Sequence, residues 1–454
     1  MPQPTTTIQV APTRPVYQPG ELVDYTAQSG DTLPVLATRF NTTVQEIRAA
    51  NPIIPDSATT MPPGMPMKIP IYYRPLWGTT FQIIPDSLFI NGPAQLNFDT
   101  VAFVDRQPGW LKNRIEFAGG ENRRGGEIIN FVATNYSVSP RLLLAVTEYQ
   151  IGALSQTTPP ADDDLYLFGY VDYHSEGFYR QLAWVADQLN NSYYRARSGS
   201  ILAFELSDGR MERPDPWQNP ATVALQYYFA SIYPPDQYAR AISNVGLAQT
   251  YTQLFGDPWT AEPHIPGSLT QPDFRLPFET GKIWAFTGGP HSAWGDDAEP
   301  LAAIDFAPPS LVGGCNSSEE WATAVADGTV VRTGTGIAVL DLDEDNDERT
   351  GWVVFYLHLA TDSILPVGTQ LKAGERIGYP YCEGGHSTGT HVHIARKYNG
   401  EWMLAGGMLP FTLESWQVRN GDAPYQGSMM NTNTGKMISA CTCSDAASHI
   451  QSLK

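Results

Sequence analysis

The spacing of apolar residues changes along this chain, and no single core can satisfy all of it. From Leu33 to Ala50, from Leu142 to Tyr149 and again from Leu182 to Leu189, apolar positions recur three and four apart, the period of a helix. Between residues 284 and 396 they alternate or run in short blocks bounded by Gly and Pro, as strands do. A chain of 454 residues with these textures folds as several domains of α+β class. Its 40 Gly and 37 Pro supply the turns and linkers between them. The expected order is a Pro/Thr-rich flexible spacer (1–23), a small unit (24–72), a mostly helical middle domain (73–277), a β-rich domain (278–418) and a polar tail (419–454).

Charge and composition exclude whole classes of partner. The 28 Lys+Arg against 47 Asp+Glu leave a formal net charge of −19, which argues against nucleic acid and anionic membrane surfaces. No window approaches the apolar length of a membrane span, and the first residues lack the basic start and apolar stretch of a signal peptide. Four cysteines, an even number, suit disulfides in an exported protein and allow three pairings. The favoured pairing joins Cys315 to Cys382, with Cys441 and Cys443 joined to each other or free.

Within residues 25–71, Gly30-Asp31-Thr32 opens a helix with Leu33, Leu36, Ala37 and Phe40 on one stripe. A second helix follows Thr42 or Thr43, and Met65, Met67 and Ile69 alternate as a closing strand. This strand–helix–helix–strand unit resembles the lysin motif (LysM) at Tyr25, Gly30-Asp31-Thr32-Leu33, Ala37, Phe40, Ile47, Asn51, Pro63-Gly64 and Ile69-Pro70. The resemblance implies a βααβ module that holds N-acetylglucosamine-containing glycan.

In the middle domain, Ser139-Pro140 is an N-cap followed by Pro at the first helical position. A later helix is expected from Gly177 to about Arg197. The run VSPRLLLAVTEYQIG (138–152) resembles the helix of lysozyme-like transglycosylases that ends in a catalytic Glu-Ser pair. Here Gln150 and Ile151 fall at those positions, and an amide cannot donate the proton that a glycosidic oxygen needs. A helical scaffold is therefore the expectation for this domain.

Five of the eight histidines lie between residues 284 and 396. WAFTGGPHSAW carries His291, and WVVFYLHLA carries His358 at the end of an apolar strand. In LAAIDFAPP, Asp305 sits between Ile304 and Phe306 and faces the opposite side of its strand. In THVHIARK, His391 and His393 share one face. A catalytic zinc takes three protein ligands of this kind and keeps one position for water. Two further imidazoles are then available to move a proton and steady an oxyanion.

Residues 278 to about 405 are similar to the lysostaphin-type zinc endopeptidases of bacterial cell walls. The resemblance runs through ATAVADGTVVRTG (322–334), FYLHL (355–359), VGTQLKAGERIGY (367–379) and STGTHVHIARK (387–397). It implies an antiparallel β-rich peptidase with His291, Asp305 and His393 as zinc (Zn2+) ligands and His358 and His391 as the unligated catalytic pair. Thirteen residues lie between His291 and Asp305 here and three in typical members, so an inserted loop is expected, with Asp296 or Asp297 as alternative ligands. The activity implied is an extracytoplasmic (secreted or wall-associated) hydrolase of peptide bonds in peptidoglycan stem peptides or cross-bridges, directed to the wall by the LysM unit. The alternative is a peptidoglycan-binding or regulatory protein with an inactive peptidase-like domain.

DLDEDNDERTG (341–351) places Asp341, Asp343, Asp345 and Asp347 at alternate positions, like the start of a calcium loop. Asn346 stands where such loops have Gly and Trp352 where they have Glu, so a solvated hairpin tip is the expectation.

Overall fold

The computed structural model describes residues 14–75, 77–160, 165–295, 298–310, 312–443 and 445–453. The first thirteen residues of the expected spacer, and the alternative ligands Asp296 and Asp297, lie outside the described residues. The chain divides into two compact units, Met1–Ser268 and Leu269–Lys454. No helix among the described residues is long and apolar enough to cross a membrane.

The first unit opens with the small module. Strand β1 (Glu21–Thr26) pairs antiparallel with β2 (Pro66–Ile71), and helices α1 (Leu33–Arg39) and α2 (Val44–Ala50) lie between them in sequence. Thr43 and Glu46 form a reciprocal capping box at the start of α2, which satisfies two donors that the helix itself leaves unpaired. The core gathers Leu33, Leu36, Phe40, Ile47, Met67 and Ile69, positions that the apolar spacing had already put inside, together with Tyr25.

The rest of this unit is mainly helical: α3 (Thr100–Asp105), the hairpin β3 (Ile115–Ala118) and β4 (Glu121–Arg124), α4 (Gly125–Tyr136), α5 (Pro140–Ile151) and α6 (Phe178–Ser198). A short hairpin, β5 (Phe204–Glu205) and β6 (Met211–Glu212), precedes α7 (Pro220–Ile232), α8 (Pro235–Ala241) and α9 (Leu247–Phe255). Ser139 caps α5 by accepting from the Leu142 N–H, as its place before Pro140 requires. Gln150 accepts a hydrogen bond from the Tyr228 hydroxyl, and Glu148 accepts the Leu154 and Ser155 N–H groups in the turn after the helix. Both side chains hold structure at the end of α5.

The second unit is built on one antiparallel sheet. In chain order its strands and small satellites are β7 (Ile283–Ser292), β8 (Leu301–Ala307), β9 (Ala322–Thr323), β10 (Gly328–Gly334), β11 (Ile337–Asp341), β12 (Trp352–Leu357), β13 (Gln370–Leu371), β14 (Arg376–Gly378), β15 (Val392–Tyr398) and β16 (Glu401–Trp402). They continue with β17 (Thr412–Leu413), β18 (Trp416–Asn420), β19 (Gly427–Asn431), β20 (Met437–Ser439) and β21 (His449–Gln451). The main sheet runs β13-β10-β11-β12-β15-β8-β7-β21, with β16 beside β15. A second sheet is ordered β17-β18-β19-β20. Ile304 and Phe306 of β8, Val354 and Tyr356 of β12, and Val392 and Ile394 of β15 enter the core. The period of two therefore sends Asp305 and His393 to the other face.

Two expected boundaries move. Phe274 and Leu276 belong to the core of the second unit, so its chain begins at Leu269, ahead of residue 278. The segment 419–454 does not stand apart, because β21 adds to the edge of the main sheet beside β7 and the Cys441 N–H bonds the Phe286 carbonyl. Disulfides join Cys315 to Cys382 and Cys441 to Cys443.

One buried ion cluster ties the turn between β11 and β12 to strands β10 and β15. Glu348 accepts from Arg332 of β10 at 2.5 Å and from Lys397 of β15 at 2.8 Å. Burial alone would raise the Glu348 carboxyl, but Lys397 and Arg332 outweigh it and hold the pKa at about 2, below the ordinary 4.5. This contribution is fully present above pH 4.5 and is lost as pH falls from there toward 2. Replacing Glu348 with Gln leaves Lys397 buried and unpaired, at an expected cost of about 3 kcal/mol. Urea unfolding at pH 7 shows that loss, and the gap between Glu348→Gln and the parent narrows at pH 3.

Candidate metal centre

Three adjacent strands bring the centre together. His291 lies on β7, Asp305 on β8 opposite His393 of β15, and Leu357, just before His358, lies opposite His393 on its other side. The insertion between His291 and Asp305 is the tip of the β7–β8 hairpin, since Ser292 pairs with Leu301 and His291 with Ala303. Strand β7 is bulged between Phe286 and Ser292, and glycine is required there: a Cβ at Gly288 would stand 2.3 Å from Asp305 Oδ2.

The nitrogens are oriented by backbone carbonyls. His291 Nδ1 lies 2.8 Å from the Gly289 oxygen, and His393 Nε2 lies 3.3 Å from the Ala293 oxygen. A carbonyl only accepts, so those nitrogens carry the protons, and His291 Nε2 and His393 Nδ1 present lone pairs to one another. They are 3.0 Å apart, and Asp305 Oδ1 stands 3.2 Å from the first and 3.4 Å from the second. Asp305 Oδ1 is buried and accepts no hydrogen bond.

Three electron-pair donors facing one point with no proton between them repel one another unless a cation sits among them. Ligands about 2.0–2.1 Å from one tetrahedral ion stand roughly 3.3 Å apart, which the observed separations bracket. His291, Asp305 and His393 therefore fit a zinc ion in both donor chemistry and spacing. Burial lowers the His393 pKa, which keeps the imidazole neutral as a ligand must be.

The other two histidines stand beside this triad. His391 Nε2 is 3.7 Å from Asp305 Oδ1, and its Nδ1 faces the Gly389 oxygen at 2.8 Å. His358 follows β12 in a left-handed conformation (φ 63°), with Nδ1 2.9 Å from the Glu383 oxygen. The two rings are 4.6 Å apart, centre to centre. Burial, reinforced by His391 and His393, lowers the His358 pKa to about 3. His386 is exposed on the loop before β15.

Tyr425 was not anticipated. Its ring stacks on His291 at 4.2 Å, while the Gly289 N–H bonds the Tyr425 carbonyl and the Tyr425 N–H bonds the Pro290 carbonyl. No periodicity or motif around Tyr425 signals this, because the contact depends on where the segment after β18 folds back.

Two imidazoles and a carboxylate converge from neighbouring antiparallel strands, a candidate histidine–carboxylate metal site on a β-sheet. The chain carries a LysM domain at residues 25–70, and residues 82–268 match the family described as LasA, N-terminal domain. It is homologous to named proteases. Protease LasA of Pseudomonas aeruginosa (strain UCBPP-PA14) is 24% identical over 349 residues, 71% of this chain and 75% of that protein. The beta-lytic metalloendopeptidase of Lysobacter enzymogenes is 29% identical over 140 residues, 29% of this chain and 73% of that protein. Among solved structures, the deep-sea M23 metalloprotease pseudoalterin is similar with a TM-score of 0.32 and 23% identity, covering 38% of this chain and 96% of that one.

Proposed function

We propose that this protein is an extracytoplasmic zinc metalloendopeptidase that hydrolyses peptide bonds in peptidoglycan, placed on its substrate by the LysM domain. The observation that carries the reading is the buried, unbonded Asp305 Oδ1 between His291 Nε2 and His393 Nδ1. Homology to protease LasA and to the beta-lytic metalloendopeptidases supports it. His291, Asp305 and His393 would hold the metal. Zinc bound there supplies Lewis-acid chemistry, polarising the scissile carbonyl and acidifying a water.

The chain's own groups do the rest. His391 has its Nδ1 proton committed to Gly389, so Nε2 faces the centre as the base that takes the proton of the attacking water. His358, its Nδ1 proton committed to Glu383, presents a second accepting nitrogen beside it. The proton taken up turns an acceptor into a cationic donor, which then stabilises the oxyanion and protonates the leaving amine. The carbonyls of Gly289, Ala293, Gly389 and Glu383 keep each ring in the tautomer its task requires.

The alternative of an inactive binding protein is disfavoured because each role in the proposed site, three ligands and two proton-handling histidines, has a candidate residue within reach of it. Digestion of purified peptidoglycan tests the proposal. New amine termini are expected, vanishing when zinc is chelated and returning when zinc alone is restored. Reducing sugar without new amines, or hydrolysis indifferent to the chelator, would overturn it.

A further inference from the structure

We infer that the turn joining β11 to β12 is a calcium site, with Asp341, Asp343 and Asp345 as carboxylate ligands. It is separate from the histidine centre and its chemistry is different. One oxygen from each of the three residues lies within 4.8 Å of the others. Asp341 is fully buried at the end of β11; its Oδ2 accepts the Asn346 N–H at 3.1 Å, and its Oδ1 has no hydrogen-bond partner. A buried carboxylate oxygen without a donor costs free energy unless a cation supplies the missing interaction.

The neighbouring cations are already committed. Arg349 pairs with Asp347, while Arg332 and Lys397 pair with Glu348. Among the described residues, that leaves three converging carboxylates with no ion-pair partner in this loop.

The backbone answers the sequence objection to such a site. Asn346 adopts φ 65°, the left-handed turn for which calcium loops use Gly, and Asn is among the few other residues that adopt it readily. Trp352 belongs to β12, so this loop supplies no closing Glu. All-oxygen donors in an irregular loop suit calcium better than magnesium, which needs near-ideal octahedral geometry, and better than transition metals, which favour nitrogen or sulfur. Without the closing carboxylate, affinity should fall in the weak range of extracellular modules, about 0.1–1 mM.

Terbium(III) titrated into the zinc-loaded full chain is the test, with emission sensitised through Trp352, which follows the loop. One site per chain is expected, displaced by millimolar calcium and not by equal magnesium. Calcium at ten times its Kd should raise the Tm of the second unit by about 3–6 °C. Asp343→Asn with Asp345→Asn should remove both signals and leave peptidoglycan hydrolysis within about twofold of the parent, which also reports that the variant is folded. Absent terbium emission, emission that persists in the double variant, or an equal Tm response in both proteins would overturn the inference.

Discussion

Replacing His393 with Ala is expected to strip the metal from the protein and to lower peptidoglycan hydrolysis by about 10³-fold or more. The ring donates through Nδ1, 3.0 Å from His291 Nε2 and 3.4 Å from Asp305 Oδ1, so its loss leaves one imidazole and one carboxylate. Two ligands do not hold zinc against water and chelators, and the Lewis-acid stabilisation that goes with it is worth several kcal/mol. Elemental analysis should find well under one zinc per chain in His393→Ala. Asp305→Asn should behave alike, because a neutral amide replaces the only anionic ligand. A His393→Ala protein that keeps stoichiometric zinc and hydrolyses within tenfold of the parent would place the centre elsewhere.

His391→Ala separates chemistry from metal binding. His391 Nε2 stands 3.7 Å from Asp305 Oδ1, outside the tighter His291–Asp305–His393 set, so zinc should remain at one per chain. With the proton acceptor gone, kcat is expected to fall by about 10²–10⁴, with KM changing only a few-fold. Adding His358→Ala should cost much less than a second independent loss, since on the proposed mechanism both neighbouring rings serve one proton transfer. A His391→Ala enzyme with full kcat would assign the base role to another group, and loss of zinc would make His391 a ligand.

Much of this molecule was legible because its signals are local. Thr43 with Glu46, and Ser139 with Pro140, mark helix starts through hydrogen bonds that span only a few residues. Ile304-Asp305-Phe306 and Val392-His393-Ile394 separate core from site by the alternation of a strand, which no distant residue has to supply. The residue types from which a metal site and a proton relay could be built were legible for the same reason: they are written into the chain whatever its path.

Other features depend on where distant segments meet. The position of the unit boundary at Ser268 was hidden because Phe274 and Leu276 look apolar in either domain. The left-handed turn at Asn346 came from the hairpin's geometry, at a residue type that permits this conformation and does not require it.

By itself, then, the sequence determined the kinds of element, the faces they would bury and the residue types available for the site, since these follow from local sterics and from a periodicity of two or 3.6. The tertiary structure alone decided that β7, β8 and β15 lie side by side in a register that closes His291 and His393 to 3.0 Å. It alone brought Tyr425 against His291 and the carbonyls that set each tautomer. Register and close approach are properties of the whole packed sheet, fixed by contacts between residues as far apart as 291 and 393, and no local pattern carries them.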